Sequence, residues 1–494
     1  MTATNHLKQD TMLTNRKASI VLLLSGSMLV FMTFMRFSLP EVAWVTFAPF
    51  LIILHERGTI GRHLTVLSTL LVVFILTVSK MVTAEIPWAP VPMFAIPMAL
   101  SYFVALATAS FVHRQLGVRW GIYTFASMVA VLGWIQYTFT PGSSWGLLAH
   151  TQLENLPLVQ LVALTGTGGV TFLVALGSGL TAAAWQVGIK VIRMDLIVFG
   201  ILLGMTLIYG QLRLSNTAPG ELMRVATVVS PVTHKEFREA YQNVDALRPL
   251  DDELFMRSER AVKFGAKVIV WPEIATVMTQ ETEPSVVTRG EEFARKHRVA
   301  LLMAYGVFET AKPGPSSIYV NKYRIYGPDG SLLDEYVKRH PVPGDPNPAG
   351  SVHAKAVSVF GVKLSGGICY DYGFPEIARD NANDGADVAL VPSSDWRGID
   401  PEHGRMALMN AVAVGLPMVR PVRAATSIVS DQYGRLLGSL RPDTTGDGVM
   451  VVSTPIQRLP TLYTRTGELI PLLALAFVIF TVLRAMRSRF LLKN

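Results

Sequence analysis

Long uncharged apolar runs fill the first two-fifths of the chain and return once near its end. Runs at roughly 18–35, 39–54, 64–83, 93–112, 120–137, 158–186, 194–212 and 467–485 predict eight membrane spans. Several approach the ~20 apolar residues that a helix needs to cross a bilayer. The second is short and the sixth is long enough to tilt. The first is followed at once by further spans and lacks a clear small-residue cleavage site, so it reads as an anchor and not a removable leader. Between the seventh and eighth runs the pattern shortens to β-branched stretches bounded by turn residues. Strands are predicted over Met223–Pro231, Ala266–Glu273, 299–309, 317–326, Ala386–Ser394, 418–430 and 448–453. Apolar residues at helical spacing predict helices over 245–265, 284–297 and 402–415. The run AVSVFGVKLSG reads as one strand ending near Cys369, and FPEIARD as the start of a helix. Such mixed order indicates an α/β layered domain. Three parts follow: a membrane bundle over 1–215, a globular domain over 216–460, and a last span with a basic tail over 461–494.

Composition agrees with this division, since half the residues are hydrophobic and only 16% are charged. The net charge of +8 suggests an anionic partner until its placement is considered. With the N-terminus in the cytoplasm, the cytoplasmic segments hold Lys8, Arg16, Lys17, Arg57, Arg62, Arg114, Arg119, Lys190, Arg193, Arg484, Arg487, Arg489 and Lys493. The short outer loops and their edges hold only Arg36 and Lys80. Thirteen against two follows the positive-inside rule and puts 216–460 outside the cytoplasm. The charge is thus a topology signal, and nucleic acid is not expected as a partner. The single cysteine excludes an intramolecular disulfide. Without an HExxH or paired CxxC motif, no metal or other cofactor is expected.

Two outer loops stand out: the proline-rich 84–92, and 138–157 with Trp145 and His150. The second serves either as interfacial anchor through its tryptophan or as a lipid-facing entrance to a site above it. The glycine-rich LTGTGGVTF, Leu164–Phe172, fits close helix packing better than phosphate binding.

Three residues near the ends of apolar strands carry candidate chemistry: Glu273 in VIVWPE, Lys338 in DEYVKRHPVPG and Cys369 in GGICYDYGFPEIARD. A thiol at a strand-to-helix turn receives the positive end of the helix dipole, which favours thiolate. Glu273 can take the thiol proton and later return it to a leaving group. Lys338 and the backbone N–H after the cysteine can stabilise a tetrahedral oxyanion. Tyr370, Asp345, Trp271 and Trp145 are candidate substrate-binding residues.

WPE, YVKRH and GGICYDYGFPEIARD resemble, in order and spacing, the Glu-Lys-Cys motifs of the nitrilase superfamily. That resemblance implies an αββα sandwich that cleaves or forms amide bonds through a cysteine thioester. A nitrilase-like domain set between seven spans and an eighth resembles the apolipoprotein N-acyltransferase family, as does LLAHTQLENLPLVQLVALTGTGGVTFLV in the membrane region. The fold expected is therefore a polytopic α-helical membrane bundle plus an α/β nitrilase-like domain. The resemblance implies a two-step transfer in the bacterial inner membrane, with the catalytic domain on the periplasmic side. Cys369 would take an acyl chain from a phospholipid and pass it to the α-amine of a diacylated lipoprotein. The alternative is a membrane-bound nitrilase-like amidase or acyltransferase acting on another amine, amide or lipid. The chain departs from the family's pattern in four places. Asp345 stands one residue short of an expected glutamate. Tyr370-Asp371 replaces Tyr-Glu, Ser393–Gly398 reads SSDWRG, and Asn410–Ala413 lacks two expected charges.

Overall fold

The computed structural model describes residues 16–56, 59–84, 88, 90–216, 220–229, 248–310, 317–441 and 448–491. Of the basic residues counted above, Lys8, Arg57 and Lys493 lie outside these, as do Ser230–Pro231, the start of the 245–265 helix, and part of the 84–92 loop. Seven described helices are long and apolar enough to span a membrane: Arg16–Thr33, Ile60–Met81, Val91–Leu116, Val118–Phe139, Val162–Val187, Arg193–Ser215 and Leu469–Phe490. The run at 39–54 differs from the others. Pro40 starts a single 3-10 turn to Trp44, and the helix that follows, Ala48–Glu56, is too short to cross alone. It is nevertheless buried within the bundle, through Phe47, Phe50 and Leu51. Leu24, Met28, Ile201, Met205 and Ile208 project large apolar side chains from the outer helices. In a membrane these face lipid, where exposed hydrocarbon is at no disadvantage.

Helix Val162–Val187 is the bundle's central element and is kinked at Gly166, whose φ is 62°. A Cβ there would meet the ring of Tyr463 at 2.4 Å. Tyr463 belongs to the short helix Leu462–Thr466, and a Cβ at Gly168 would meet Pro471 of the last helix at 2.9 Å, so the glycine-rich segment admits both, the packing role its small residues predict.

The remaining chain forms two facing sheets. The first contains β1 (Leu222–Val228), β2 (Val268–Val270), β3 (Thr276–Thr279), β4 (Ala300–Phe308), β5 (Tyr319–Tyr326) and β6 (Leu332–Val337). The second contains β7 (Val357–Val359), β8 (Val362–Gly366), β9 (Val388–Leu390), β10 (Met418–Arg420), β11 (Ser427–Ser430) and β12 (Leu436–Leu440), and β13 (Val449–Pro455) returns to the first. The orders are β13-β1-β2-β4-β5-β6, with β3 beside β4, and β12-β11-β10-β9-β8-β7. Two runs read as single strands each split in two. A turn at Phe360-Gly361, both at positive φ, folds AVSVFGVKLSG into the β7–β8 hairpin, and 418–430 forms the antiparallel pair β10–β11.

Strand alternation explains the layers. In β4, Ala300, Leu302 and Ala304 face the second sheet, joining Leu364, Leu390 and Val419 in one cluster. Leu301, Met303 and Tyr305 face helices Arg248–Lys263 and Glu283–His297. The outer face of the second sheet packs on helices Pro375–Asn383 and Glu402–Val414, and that cluster continues without a break into the membrane bundle. The order is helix, sheet, sheet, helix, bundle. The αββα sandwich therefore stands directly on the membrane helices.

Candidate active site

Glu273, Lys338 and Cys369 each follow the C-terminal end of a strand, β2, β6 and β8 respectively. Loop residues at such ends are free of the ladder and can converge between the sheets. Lys338 Nζ donates to Glu273 Oε1 over 2.7 Å, and Asn321 Nδ2 donates to the same oxygen over 2.7 Å. The Glu273 N–H donates to Ser393 O, which ties the first sheet to the loop after β9. Burial works against the Lys338 ammonium, but facing Glu273, the Cys369 thiol and Asp371 raise it above an ordinary lysine. It is held as a cation.

Cys369 lies in the cluster between the sheets, only 4% exposed, with φ 52°. A non-glycine residue at positive φ costs roughly 1–2 kcal/mol, and here the surroundings hold it. The Cys369 N–H donates to Pro392 O over 2.8 Å. Gly366 must be glycine, since a Cβ would lie 1.7 Å from Leu390 O. Asp371, fully buried, accepts from Ile368 N (2.9 Å), Tyr336 Oη (2.9 Å), His340 N (2.8 Å) and His340 Nδ1 (3.1 Å). One carboxylate therefore fixes both the cysteine turn and the loop bearing Lys338. Asn410 Nδ2 donates to Tyr372 O over 2.8 Å, so the residue lacking the family's charge braces the same turn.

One electrostatic expectation is corrected. Cys369 opens a five-residue 3-10 turn, and the α-helix starts only at Pro375, so the thiol receives no α-helix dipole. Burial first, then Glu273, push the thiol well above its ordinary value, against the opposing charges of Lys338 and Arg420. The resting group is a thiol, which makes a base necessary.

The other candidates separate. Tyr370 adjoins the nucleophile position and its hydroxyl donates to Pro141 O over 2.9 Å, in the 138–157 loop. Trp145 of that loop, 4% exposed, stacks on His403 with ring centroids 5.7 Å apart. Ser144 N donates to Gly373 O over 3.1 Å. The loop is therefore the seat of the cysteine turn, with its tryptophan turned inward. Asp345 accepts from Asn347 N over 3.1 Å within its own loop. Burial raises its carboxyl, and Lys338 acts on it only through charge. Trp271 is not brought to the site. Strand alternation in β2 turns it to the helix side, where its indole N–H donates to Ser258 Oγ over 2.9 Å and its ring meets Phe255.

Sequence reasoning missed Asn321 and a network beside the Cys369 thiol. Arg420 Nη2 donates to both oxygens of Asp395, at 3.0 and 2.9 Å, and His403 Nδ1 lies 2.8 Å from Asp395 Oδ1. The Cys369 thiol donates to that same Oδ1 over 3.8 Å. The available signal was an arginine inside the apolar run LPMVRPV.

These features define a multi-pass membrane protein carrying a thiol–carboxylate–ammonium site on a two-sheet sandwich. Residues 26–180 match the apolipoprotein N-acyltransferase N-terminal domain, and residues 235–460 the carbon-nitrogen hydrolase family. The apolipoprotein N-acyltransferase of Rhodopseudomonas palustris is 27% identical over 429 residues, covering 80% of this chain and 79% of that protein. That of Geobacter metallireducens is 23% identical over 468 residues, covering 86% and 87%. An amidase of the nitrilase superfamily from Nesterenkonia aligns with 51% of this chain and 97% of its own, at 21% identity and a TM-score of 0.40. Across both regions the chain is similar to apolipoprotein N-acyltransferases, from which it diverges at 23–27% identity.

Proposed function

We propose that this protein is a phospholipid-dependent N-acyltransferase of the bacterial inner membrane, working through a Cys369 thioester. Glu273 removes the thiol proton as sulfur attacks an acyl ester, then gives that proton to the departing lysophospholipid oxygen. Lys338, with the Tyr370 N–H in the first turn after the cysteine, stabilises the oxyanion. The α-amine of a diacylated lipoprotein then attacks the thioester, yielding an amide and the free thiol.

The observation that carries this reading is the seating of the cysteine turn on the 138–157 loop of the membrane bundle, through Tyr370–Pro141 and Gly373–Ser144. A soluble amidase has no use for such a support. An enzyme whose two substrates are held in a bilayer does. Extracting an acyl chain into water costs ~0.8 kcal/mol per methylene, and a site resting on the bundle avoids that cost. In this reading 1–215 and 461–494 hold the protein in the membrane, and 216–460 works on the extracytoplasmic side, as the thirteen-to-two charge asymmetry supports.

The test supplies the purified full-length protein with phospholipid and a diacylglyceryl-cysteine peptide. Triacylated peptide, preceded by a hydroxylamine-labile acyl adduct on Cys369, is the expected result. An adduct without acylated peptide transfers the reading to a different acceptor. No adduct in a single turnover refutes the thioester.

A further inference from the structure

The proposed reaction has two halves, and their proton demands differ. Ester attack begins from a thiol and ends on an alcohol. Amine attack brings in a nitrogen that must shed a proton, and it ends on the thiolate of Cys369. Glu273 Oε1 already accepts from Lys338 and Asn321. A second polar group, His403 with Asp395 and Arg420, lies beside the thiol and is left unused by the first half-reaction.

His403, at the start of helix Glu402–Val414, is 2% exposed. Its ring stacks on Trp145 and tilts against Tyr370 at 6.3 Å. The groups facing it are Asp395, Arg420 and Cys369. Burial pushes the Asp395 carboxyl up, but Arg420 and His403 outweigh it and hold it below the usual carboxylate range. His403 is oriented through Nδ1, which lies 2.8 Å from Asp395 Oδ1 and 3.2 Å from Arg420 Nη2. Its Nε2 is buried and has no hydrogen-bond partner among the described residues. A buried polar atom left unpaired is disfavoured unless something is meant to fill it. The Cys369 sulfur, an Asp395 oxygen and a His403 ring nitrogen all lie within 4.8 Å of one another. By residue type the three suggest a metal, but Arg420 Nη2 already donates to both Asp395 oxygens and brings a positive charge to the cluster.

We propose that His403, oriented by Asp395 and Arg420, accepts the proton of the incoming amine in the second half-reaction. This rests on the thioester reading given above. The carbonyl carbon under attack is bonded to Cys369 sulfur, and an attacking nitrogen sits about 3–3.5 Å from that carbon. One ring nitrogen of His403 lies within 4.8 Å of the sulfur, so the imidazole borders the space that such a nitrogen would enter. As the N–C bond forms, the N–H bond breaks and its proton passes to Nε2. As the C–S bond breaks, the imidazolium returns a proton to sulfur, restoring the thiol. Trp145 has a second part here, because its stacking sets the imidazole plane from the membrane side.

The two halves can be measured apart in the full-length enzyme. His403→Gln is loaded with phospholipid and the thioester followed by intact mass. It is then mixed with diacylglyceryl-cysteine peptide between about pH 6 and 9. Loading is expected within about threefold of wild type, with transfer slowed ~100-fold at neutral pH. Transfer by either enzyme should rise as pH approaches the α-amine's own value near 8, because only the free amine attacks. His403→Ala leaves an imidazole-sized space between Trp145 and Tyr370, so added imidazole should restore transfer. Loading itself reports an intact fold. Equal losses in loading and transfer, unimpaired transfer, or no rescue of His403→Ala by imidazole each overturn the role of His403. Failure of the wild-type enzyme to load overturns instead the thioester reading beneath it.

Discussion

Lys338 and Glu273 meet at 2.7 Å with side chains each only 4% exposed. Removing one partner of a buried pair strands the other charge and costs about 3–5 kcal/mol. Glu273→Gln and Lys338→Met should each lower thermal stability in detergent and abolish loading of Cys369. The double variant should be less destabilised than the sum of the two, because neither charge is then left alone. A melting series on the three variants checks this; strict additivity is the outcome that contradicts it.

Asp371 is the structural counterpart of that pair. Four donors converge on a carboxylate with no exposure, and bonds to a charged group contribute ~1.5–3 kcal/mol each. Asp371→Asn places an amide N–H against donors and halves the accepting capacity. The expected result is a loss of about 2–4 kcal/mol and slower loading at unchanged acceptor preference. Denaturant titration beside the loading assay measures both.

These relationships were unevenly legible in the sequence. The spans were plain because hydrocarbon thickness imposes a length; the run at 39–54 is short in the sequence and in the structure, a 3-10 turn and a nine-residue helix buried within the bundle. Glu273, Lys338 and Cys369 were legible as candidates because each stands just past a strand end, a local feature, and the structure brings Lys338 onto Glu273. Trp271 was misplaced because nearness in sequence to Glu273 does not tell which face of β2 it takes. His403, Asp395 and Arg420 were invisible as a group: helix, loop and strand supply one residue each, and only the fold joins them. The dipole expected at Cys369 failed for a local reason, since Pro375 starts the helix six residues later.

His340 gives the site a pH signature. Burial lowers its imidazole, but hydrogen bonds and charge from Asp371 and Glu376 outweigh this and raise it above 6.5. A group raised on folding binds a proton more tightly in the native state. Its contribution is complete below the unfolded value and fades as pH climbs through the folded one. Stability should therefore fall as pH rises from about 6.5, and His340→Gln should flatten that slope. Melting temperatures across this window decide it; an unchanged slope in the variant excludes His340 as the source.

The hydroxyl of Tyr370 reaches Pro141 O over 2.9 Å, across the junction between cysteine turn and bundle loop. Tyr370→Phe keeps the ring against Phe374 and His403 and loses one neutral hydrogen bond, about 1 kcal/mol, or roughly a fivefold change in rate. Trp145→Ala removes the ring stacked on His403 and edge-on to Phe94, opening a void where the loop supports the site. Its cost should be severalfold greater and should appear in loading as well as transfer, because the loop supports the cysteine turn itself. A Trp145→Phe variant, which keeps an aromatic face toward His403, should recover most of the loss. If Ala and Phe at this position load Cys369 equally well, the loop is a passive anchor in the membrane interface and not a support for the thiol.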